Sequence, residues 1–460
     1  MEHSKITVRN PFTNEAVGTV PNLSTDEVRQ VVLSCAQTSE MLPAHERAAS
    51  LRRVAQFIAE DAESWAQLIS QESGLSLYDT RHEVARALEV IEWGAAIAVN
   101  GRGEIWTSDA ARGHSDRICC SFRGPMPGAA LVITPFNHPL NQVVHKLVPA
   151  IVSGARAVLK PSEKTPLTAI RLVELLRTAG LPPEQIQVIT GDPEIVVSAA
   201  LNCEEITGLA FTGSTRIGRK LGFRAGPRRL SLELGSIDSA IVLDTADIEQ
   251  TAQTILRGAF ANSGQRCTAV KRIVVVDELA EALVTAMADH MIDWVCGDPL
   301  STATRVGTVI DTRAAEFAAV AVKAAQADGA TLLAGGQHHG TQVLPTLIDG
   351  CRLGMILVDT EVFAPIAPVI RVRNVEEAIT VANAGPYGLS CGVFTQSIER
   401  ATFMARHICS GSVNINEVPS WRLEVTPFGG TGDSGIGIKE GILRATEFFQ
   451  FERLVTFDAR

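Results

Sequence analysis

Two successive alternations of short apolar strands with helices, over residues 129–234 and again from 236 onward, predict an α/β fold built on two sheets. The strands are short runs rich in Val, Ile, Leu and Ala, as expected of parallel strands covered on both faces. Ahead of them, residues 24–94 carry apolar positions at helical spacing, and the irregular, half-apolar stretch 107–127 reads as an edge ribbon.

The helical lead-in sets Val28, Val31, Val32 and Cys35, then Leu51, Val54, Ala55 and Ile58, then Val84, Ala87, Leu88 and Ile91 on apolar faces. Strands are expected at 129–134, 156–159, 185–189, 208–211 and 230–234, with helices at 140–152, 168–178, 193–201 and 216–223. The second alternation places strands at 240–243, 273–276, 357–359, 369–372 and 392–395, and helices at 278–296, 313–328 and 398–407. The tail, 448–457, is aromatic and β-rich and suits the extension of a sheet in a neighbouring subunit.

A chain of 460 residues with 46% hydrophobic and 20% charged side chains is long enough for two or three domains, each with its own core. A net charge of −10 argues against nucleic-acid or anionic-membrane binding, while leaving room for a locally basic pocket. Residues 1–11 lack the apolar run of a signal peptide, and no stretch reaches the roughly 18 apolar residues of a membrane span, so a cytoplasmic protein is expected. Nine cysteines, an odd number without Cys-x-x-Cys spacing, fit reduced thiols, and no metal site is expected.

Parallel sheets bind ligands beyond the carboxyl ends of their strands, so the residues just after each strand are the informative ones. Asn137, in Pro135-Phe136-Asn137-His138-Pro139, can offer its amide to a developing oxyanion or can simply form an Asx turn. Lys160 and Glu163, in Lys160-Pro161-Ser162-Glu163, can hold ribose hydroxyls or make a solvated turn. Gly213 and Ser214 open a helix whose N–H groups suit a pyrophosphate, although neither the three-glycine fingerprint nor a Walker A loop is present. Glu233, flanked by Leu232 and Leu234, is a candidate base of raised pKa or a solvent-facing strand residue. Cys267 lies between a helix and a strand, with Arg266 beside it. That placement suits a nucleophile whose thiolate is favoured by a cationic neighbour, against the alternative of a small buried hydrophobe.

Taken in order, Pro135-Phe136-Asn137, Lys160-Pro161-Ser162-Glu163, Phe211-Thr212-Gly213-Ser214-Thr215, Leu232-Glu233-Leu234-Gly235, Gly264-Gln265-Arg266-Cys267 and Glu361-Val362-Phe363 resemble the aldehyde dehydrogenase superfamily over essentially the whole chain. The resemblance implies a Rossmann-like NAD-binding domain (1–106 and 127–235), an α/β catalytic domain (236–444) and a small oligomerisation β-ribbon (107–126 and 445–460) that builds a homodimer or homotetramer. It implies Cys267 as nucleophile, Asn137 as oxyanion donor, Glu233 as base and Lys146 near the proton path. For the cofactor it implies contacts from Thr134, Pro135, Lys160, Ser162, Glu163, Gly213 and Ser214, with Glu361 and Phe363 on the nicotinamide side. An acid at Glu163 favours NAD over NADP.

Arg86, His138 and Arg266, joined by Thr268 and Arg422, would form a cationic pocket for a small anionic aldehyde. The run 266–272 resembles the branch acting on phosphorylated or phosphonylated aldehydes, and 422–430 with Asp433-Ser434-Gly435 resembles phosphonoacetaldehyde dehydrogenases more closely still. Departures from the family pattern are Gly235-Ser236 for two glycines, Ile237-Asp238-Ser239 for a Lys or Asn followed by Pro, Gly432 for Lys, and Ala364 for Gly. Rival readings are oxidation of glyceraldehyde 3-phosphate, succinate semialdehyde or lactaldehyde, acyl transfer to coenzyme A, and a non-catalytic binding protein on the same fold.

Overall fold

The computed structural model describes residues 4–458 apart from 38–40, 102, 111, 114–115 and 246. Residues 38–40 of the expected lead-in and 111, 114–115 and 459–460 of the expected ribbon lie outside the described residues.

The first sheet has six strands in the order Gly435–Gly437, Arg229–Glu233, Ile206–Thr212, Ala129–Ile133, Arg156–Lys160 and Ile186–Val188. The last five run parallel, and Gly435–Gly437 adds an antiparallel edge. That late segment therefore hydrogen-bonds to the first sheet although it lies within the 236–444 stretch. The chain leaves Ala129–Ile133 in one direction and returns on its other side through Ile206–Thr212. A crevice opens at such a reversal, and Thr134-Pro135 and Gly213-Ser214 follow the two strands that flank it. Alternate side chains feed opposite faces: Ala130 and Val132 join one core, and Ala129, Leu131 and Ile133 the other. Both faces are covered, which is why these strands read as continuous apolar runs.

The second sheet has seven strands in the order Thr331–Ala334, Thr346–Asp349, Ile366–Val372, Arg272–Val276, Ser239–Val242, Ser390–Phe394 and Ser412–Ile415. Only the pairing of Thr331–Ala334 with Thr346–Asp349 is antiparallel. Ile241 and Val274 face one core, Ala240, Ile273 and Val275 the other.

The lead-in forms the helices Thr25–Gln37, Ala44–Glu60, Ala62–Ser73 and Leu77–Ala98. Two buried carboxylates tie it to the first sheet's helices. Glu72 accepts from Leu167 N (2.8 Å) and Thr168 N (3.0 Å), and Glu83 from Leu140 N (2.8 Å) and Asn141 N (2.9 Å). Each carboxylate satisfies N–H groups at a helix start, where the helix dipole favours negative charge. Through the second cap, the helix Leu77–Ala98 is locked beside Asn137 and brings Arg86 with it.

Two expectations are corrected. Residues 357–359 form a short helical turn, Ile356–Asp359, rather than a strand. Gly354 sits at φ +95° and its N–H reaches Asp359 Oδ2 at 2.8 Å, which closes a local loop that an apolar triplet alone did not reveal. The helix expected over 278–296 ends at His290 and tightens into a 3-10 turn, Met291–Asp293, before Trp294 packs edge-on against Phe260 at 5.4 Å. The polar N-terminal stretch is a hairpin of Lys5–Arg9 with Ala16–Pro21, turned at Asn14 with φ +60°. The tail Gln450–Asp458 pairs along its length with Arg117–Pro125 of the same chain, and Gly103–Thr107 completes a three-stranded ribbon with Gln450–Asp458 at one edge.

Candidate active site

Cys267 follows the helix Ile248–Phe260 and a left-handed turn, and precedes the strand Arg272–Val276. It thus sits at the amino end of the second sheet. Asn262, Ser263 and Gly264 take φ of +55°, +53° and +69° in succession. A Cβ on Gly264 would stand 2.1 Å from the carbonyl oxygen of Ala364, so the turn is pressed against the loop that follows Glu361-Val362-Phe363. Two independent bonds fasten the peptide of Cys267 itself. Its carbonyl oxygen accepts from Ser236 Oγ and from Lys271 Nζ (2.6 Å).

Burial pushes the Cys267 thiol up to about 12, with Lys271 opposing that rise and Glu361 and Asp238 adding to it. Arg266, expected to favour the thiolate, does couple to Cys267, but it is not the main cation. The Arg266 guanidinium points to Ser420 O (3.5 Å), and the cation that lowers the thiol most is Lys271.

Asn137 is buried, and its amide donates to the carbonyl of Gln265 at 2.7 Å, two residues before the cysteine. Asn262 Nδ2 returns a bond to Asn137 O at 3.2 Å. The side chain is therefore held against the cysteine turn, with its second N–H uncommitted to Gln265.

Glu233 ends the strand Arg229–Glu233, three residues before Ser236, and is 4% exposed. Its carboxyl is pushed well above the ordinary range by burial and by the Glu440 carboxylate, against the opposing pull of Lys146 and Arg422. Glu440 itself is held down to about 2. Burial alone would raise it, but Lys146 Nζ binds Glu440 Oε1 at 2.8 Å and outweighs that, and Thr212 Oγ1 donates to the same oxygen at 3.1 Å. One carboxyl of this pair is thus neutral and the other charged, a division of labour set by where Lys146 sits. Glu233 Oε2 has no hydrogen-bond partner. A Cβ at Gly429 would approach Glu233 Oε1 to 2.5 Å, so the glycine leaves room for the carboxyl where it stands.

Arg86, Arg266 and Arg422 share one neighbourhood. Burial and the charge of Arg86 pull the Arg266 guanidinium down to about 10, with Arg422 adding to the repulsion. Arg86 Nε binds Glu424, which also takes His145 Nε2 at 2.6 Å. Arg422 lies 3.9 Å from both Glu424 and Glu440 and stacks over Phe428 at 4.1 Å. Among the described residues Arg266 makes no ion pair within 4.0 Å. His138 approaches Glu83 at 3.4 Å; its imidazole is pulled down by burial, with Arg86 and Arg266 adding to the fall. Thr268 is buried beside the cysteine in sequence. Arg86 and Arg422 have carboxylates within 4.0 Å and Asp79 acts on Arg266 from farther away, so Arg266 is the guanidinium of the three whose hydrogen-bonding edge is least committed and best suited to an anion.

Toward the first sheet's crevice, Thr134 Oγ1 is buried without a partner. Ser214 starts the helix Thr215–Ala225 without a side-chain cap, leaving the first-turn N–H groups open. Lys160 Nζ and Glu163 Oε2 pair at 3.0 Å beyond the next strand, with Ser162 between them nearly buried. Glu361 accepts from Ser236 N at 3.0 Å, and Phe363 meets Phe136 edge-on at 6.0 Å. Open N–H groups, an orphaned hydroxyl and a carboxylate at a strand end are what a dinucleotide needs, so these residues fit one.

Glu440, His145, Glu424, Gln265 and Lys271 shape this site without having been singled out from the sequence. Glu440 sits at the end of a glycine-rich run and His145 inside an apolar helix, contexts that carry no local signal. Lys271 stands four residues past Cys267, a spacing that could have drawn notice.

The model of the aldehyde dehydrogenase family matches residues 1–454. The 3-sulfolactaldehyde dehydrogenase of Priestia aryabhattai is 33% identical over 455 residues, which are 99% of this chain and 95% of that protein. The sulfoacetaldehyde dehydrogenase of Neptuniibacter caesariensis is 34% identical over 437 residues, 94% of this chain and 95% of that protein. The crystal structure of the NADP-dependent glyceraldehyde-3-phosphate dehydrogenase of Bacillus halodurans C-125, complexed with NADP, superposes with a TM-score of 0.96 at 34% identity and covers 99% of this chain and 96% of that one. The chain belongs to the aldehyde dehydrogenase family. It is an NAD(P)-dependent aldehyde-oxidising enzyme.

Proposed function

We propose that this enzyme oxidises a small aldehyde carrying a tetrahedral anionic headgroup, with phosphonoacetaldehyde as the first candidate and sulfoacetaldehyde and glyceraldehyde 3-phosphate as its competitors. The observation that carries this reading is the cluster of Arg86, Arg266 and Arg422, in which Arg266 makes no ion pair within 4.0 Å among the described residues. Relatives named for sulfolactaldehyde, sulfoacetaldehyde and glyceraldehyde 3-phosphate handle headgroups of the same shape and sign, which supports the class of substrate.

In the proposed cycle the Cys267 thiol gives its proton to solvent and the thiolate adds to the aldehyde carbon. The uncommitted N–H of Asn137 holds the oxyanion, and Arg266 with Arg86 and Arg422 holds the headgroup, fixing the carbonyl over the sulfur. A bound NAD supplies the hydride acceptor, leaving a thioester on Cys267. Glu233, neutral at rest, gives up its proton through the Lys146–Glu440 pair and then takes one from the water that attacks the thioester. The carboxylic acid leaves and the thiol is restored. Thr134, Lys160, Ser162, Glu163, Gly213, Ser214, Glu361 and Phe363 are assigned to the cofactor. An ionised Glu163, held low by Lys160 and Lys164 against the opposing effect of burial, supports NAD over NADP because it would repel a ribose phosphate.

The exposed Ile105, Trp106, Phe122, Leu454 and Phe457 of the ribbon support a homodimer or homotetramer. Nine unlinked cysteines support a reducing, cytoplasmic setting. The test is kcat/KM for NAD reduction with phosphonoacetaldehyde, sulfoacetaldehyde, glyceraldehyde 3-phosphate and propanal, for wild type and Cys267→Ala. Preference for the anions and loss of all turnover in the variant are expected. Preference for propanal would remove the anion pocket, and retained turnover would remove the covalent route.

A further inference from the structure

We propose that Lys271 is a positioning residue that supplies the fixed positive charge making Cys267 a nucleophile, a role that rests on Cys267 being the reacting thiol. The side chain is 5% exposed, and its three protons are spent on groups around the cysteine. Nζ donates to Cys267 O at 2.6 Å and to Arg266 O at 2.9 Å, the two peptide carbonyls on either side of the sulfur-bearing residue's N–H. It also lies 3.5 Å from Ser236 Oγ and 3.5 Å from Glu361 Oε1. Ser236 donates to the same Cys267 carbonyl, so a hydroxyl at a position where a glycine would leave a gap closes the cage.

A buried ammonium tied to backbone carbonyls cannot swing away, so its field at the thiol is constant. Every other charged group facing the cysteine is placed differently. Glu361 and Asp238 oppose the thiolate; Arg422 favours it but is shared between Glu424 and Glu440, and Arg266, whose charge also couples to Cys267, has its guanidinium turned to Ser420 O. Glu361 also draws on Lys271 directly. The ammonium is therefore divided between a thiol it activates and a carboxylate that weakens it.

The opposing signs give the test. Cofactor-free enzyme is labelled with iodoacetamide at pH 8, and the rate at Cys267 is followed by peptide mass spectrometry, since nine cysteines demand site resolution. Lys271→Met is expected to slow labelling of Cys267 about tenfold or more, because the thiolate is the reacting form. Glu361→Gln keeps an acceptor for Ser236 N and removes the opposing charge, so it is expected to speed labelling several-fold. A purely structural role for the Lys271–Glu361 pair would slow both variants or neither, and either outcome overturns the proposal. Should Lys271→Met melt before labelling, Glu361→Gln decides alone: an unchanged or slower rate refutes it. Failure here leaves the Cys267→Ala turnover test intact, so the two readings fall separately.

Discussion

Replacing Arg266 by Ala is the sharpest perturbation of substrate choice because the structure says what else it disturbs. The guanidinium makes one long bond, 3.5 Å to Ser420 O, and among the described residues no ion pair within 4.0 Å. Truncation therefore breaks no ion pair within 4.0 Å among the described residues; it relieves repulsion from Arg86 and Arg422 and removes a longer-range charge that favours the ionised form of the buried Asp79. The two effects oppose each other, so stability should change little. Transition-state binding of an anion should lose one charged hydrogen bond, about 1.5–3 kcal/mol, or roughly 10- to 150-fold in kcat/KM. The lower part of that range applies if Arg86 and Arg422 take up the headgroup. Propanal, with nothing for the guanidinium to hold, should lose less than about threefold. The assay is kcat/KM for sulfoacetaldehyde, phosphonoacetaldehyde and propanal alongside a thermal melt. Equal losses for all three would mean that Arg266 only positions the cysteine turn, and a clear fall in Tm would mean that it is a structural residue.

Asn137→Ala should slow acylation by about 10²–10³ as an oxyanion donor is lost, while iodoacetamide still labels Cys267, measured by stopped flow and peptide mapping. Lys146→Met strips Glu440 of its 2.8 Å partner and should cost about 3–5 kcal/mol in denaturant unfolding, less if Arg422 moves in. The same change removes a charge that lowers Glu233. A base must be deprotonated to act, so thioester hydrolysis rises with pH, and in this variant that rise should shift to higher pH. Gly264→Ala puts a Cβ 2.1 Å from Ala364 O at φ +69° and should destabilise by roughly 2–5 kcal/mol, read from a thermal melt.

The parallel strands were legible because both faces are buried and nothing polar interrupts them: Ala129–Ile133 and Arg272–Val276 fall within a residue of their expected bounds. The turn Ile356–Asp359 was not, since an apolar triplet is ambiguous and the Gly354–Asp359 closure that decides it is a backbone event. The N-terminal hairpin hid in a polar stretch whose alternation is weak. Within the site, motif residues at strand ends were visible one by one. What joins them was not, because Glu440 reaches Lys146 across 294 positions and Glu424 reaches His145 across 279. No local pattern encodes a pairing that distant, and that network decides which of two neighbouring carboxyls stays neutral.

Trapping the covalent intermediate tests the core of the account. Glu233→Gln, given NAD and sulfoacetaldehyde or phosphonoacetaldehyde and quenched in acid within seconds, should carry one acyl group on the peptide bearing Cys267, with a burst of NADH close to one per site. An absent adduct with undiminished turnover, or an adduct on any other cysteine, would contradict it.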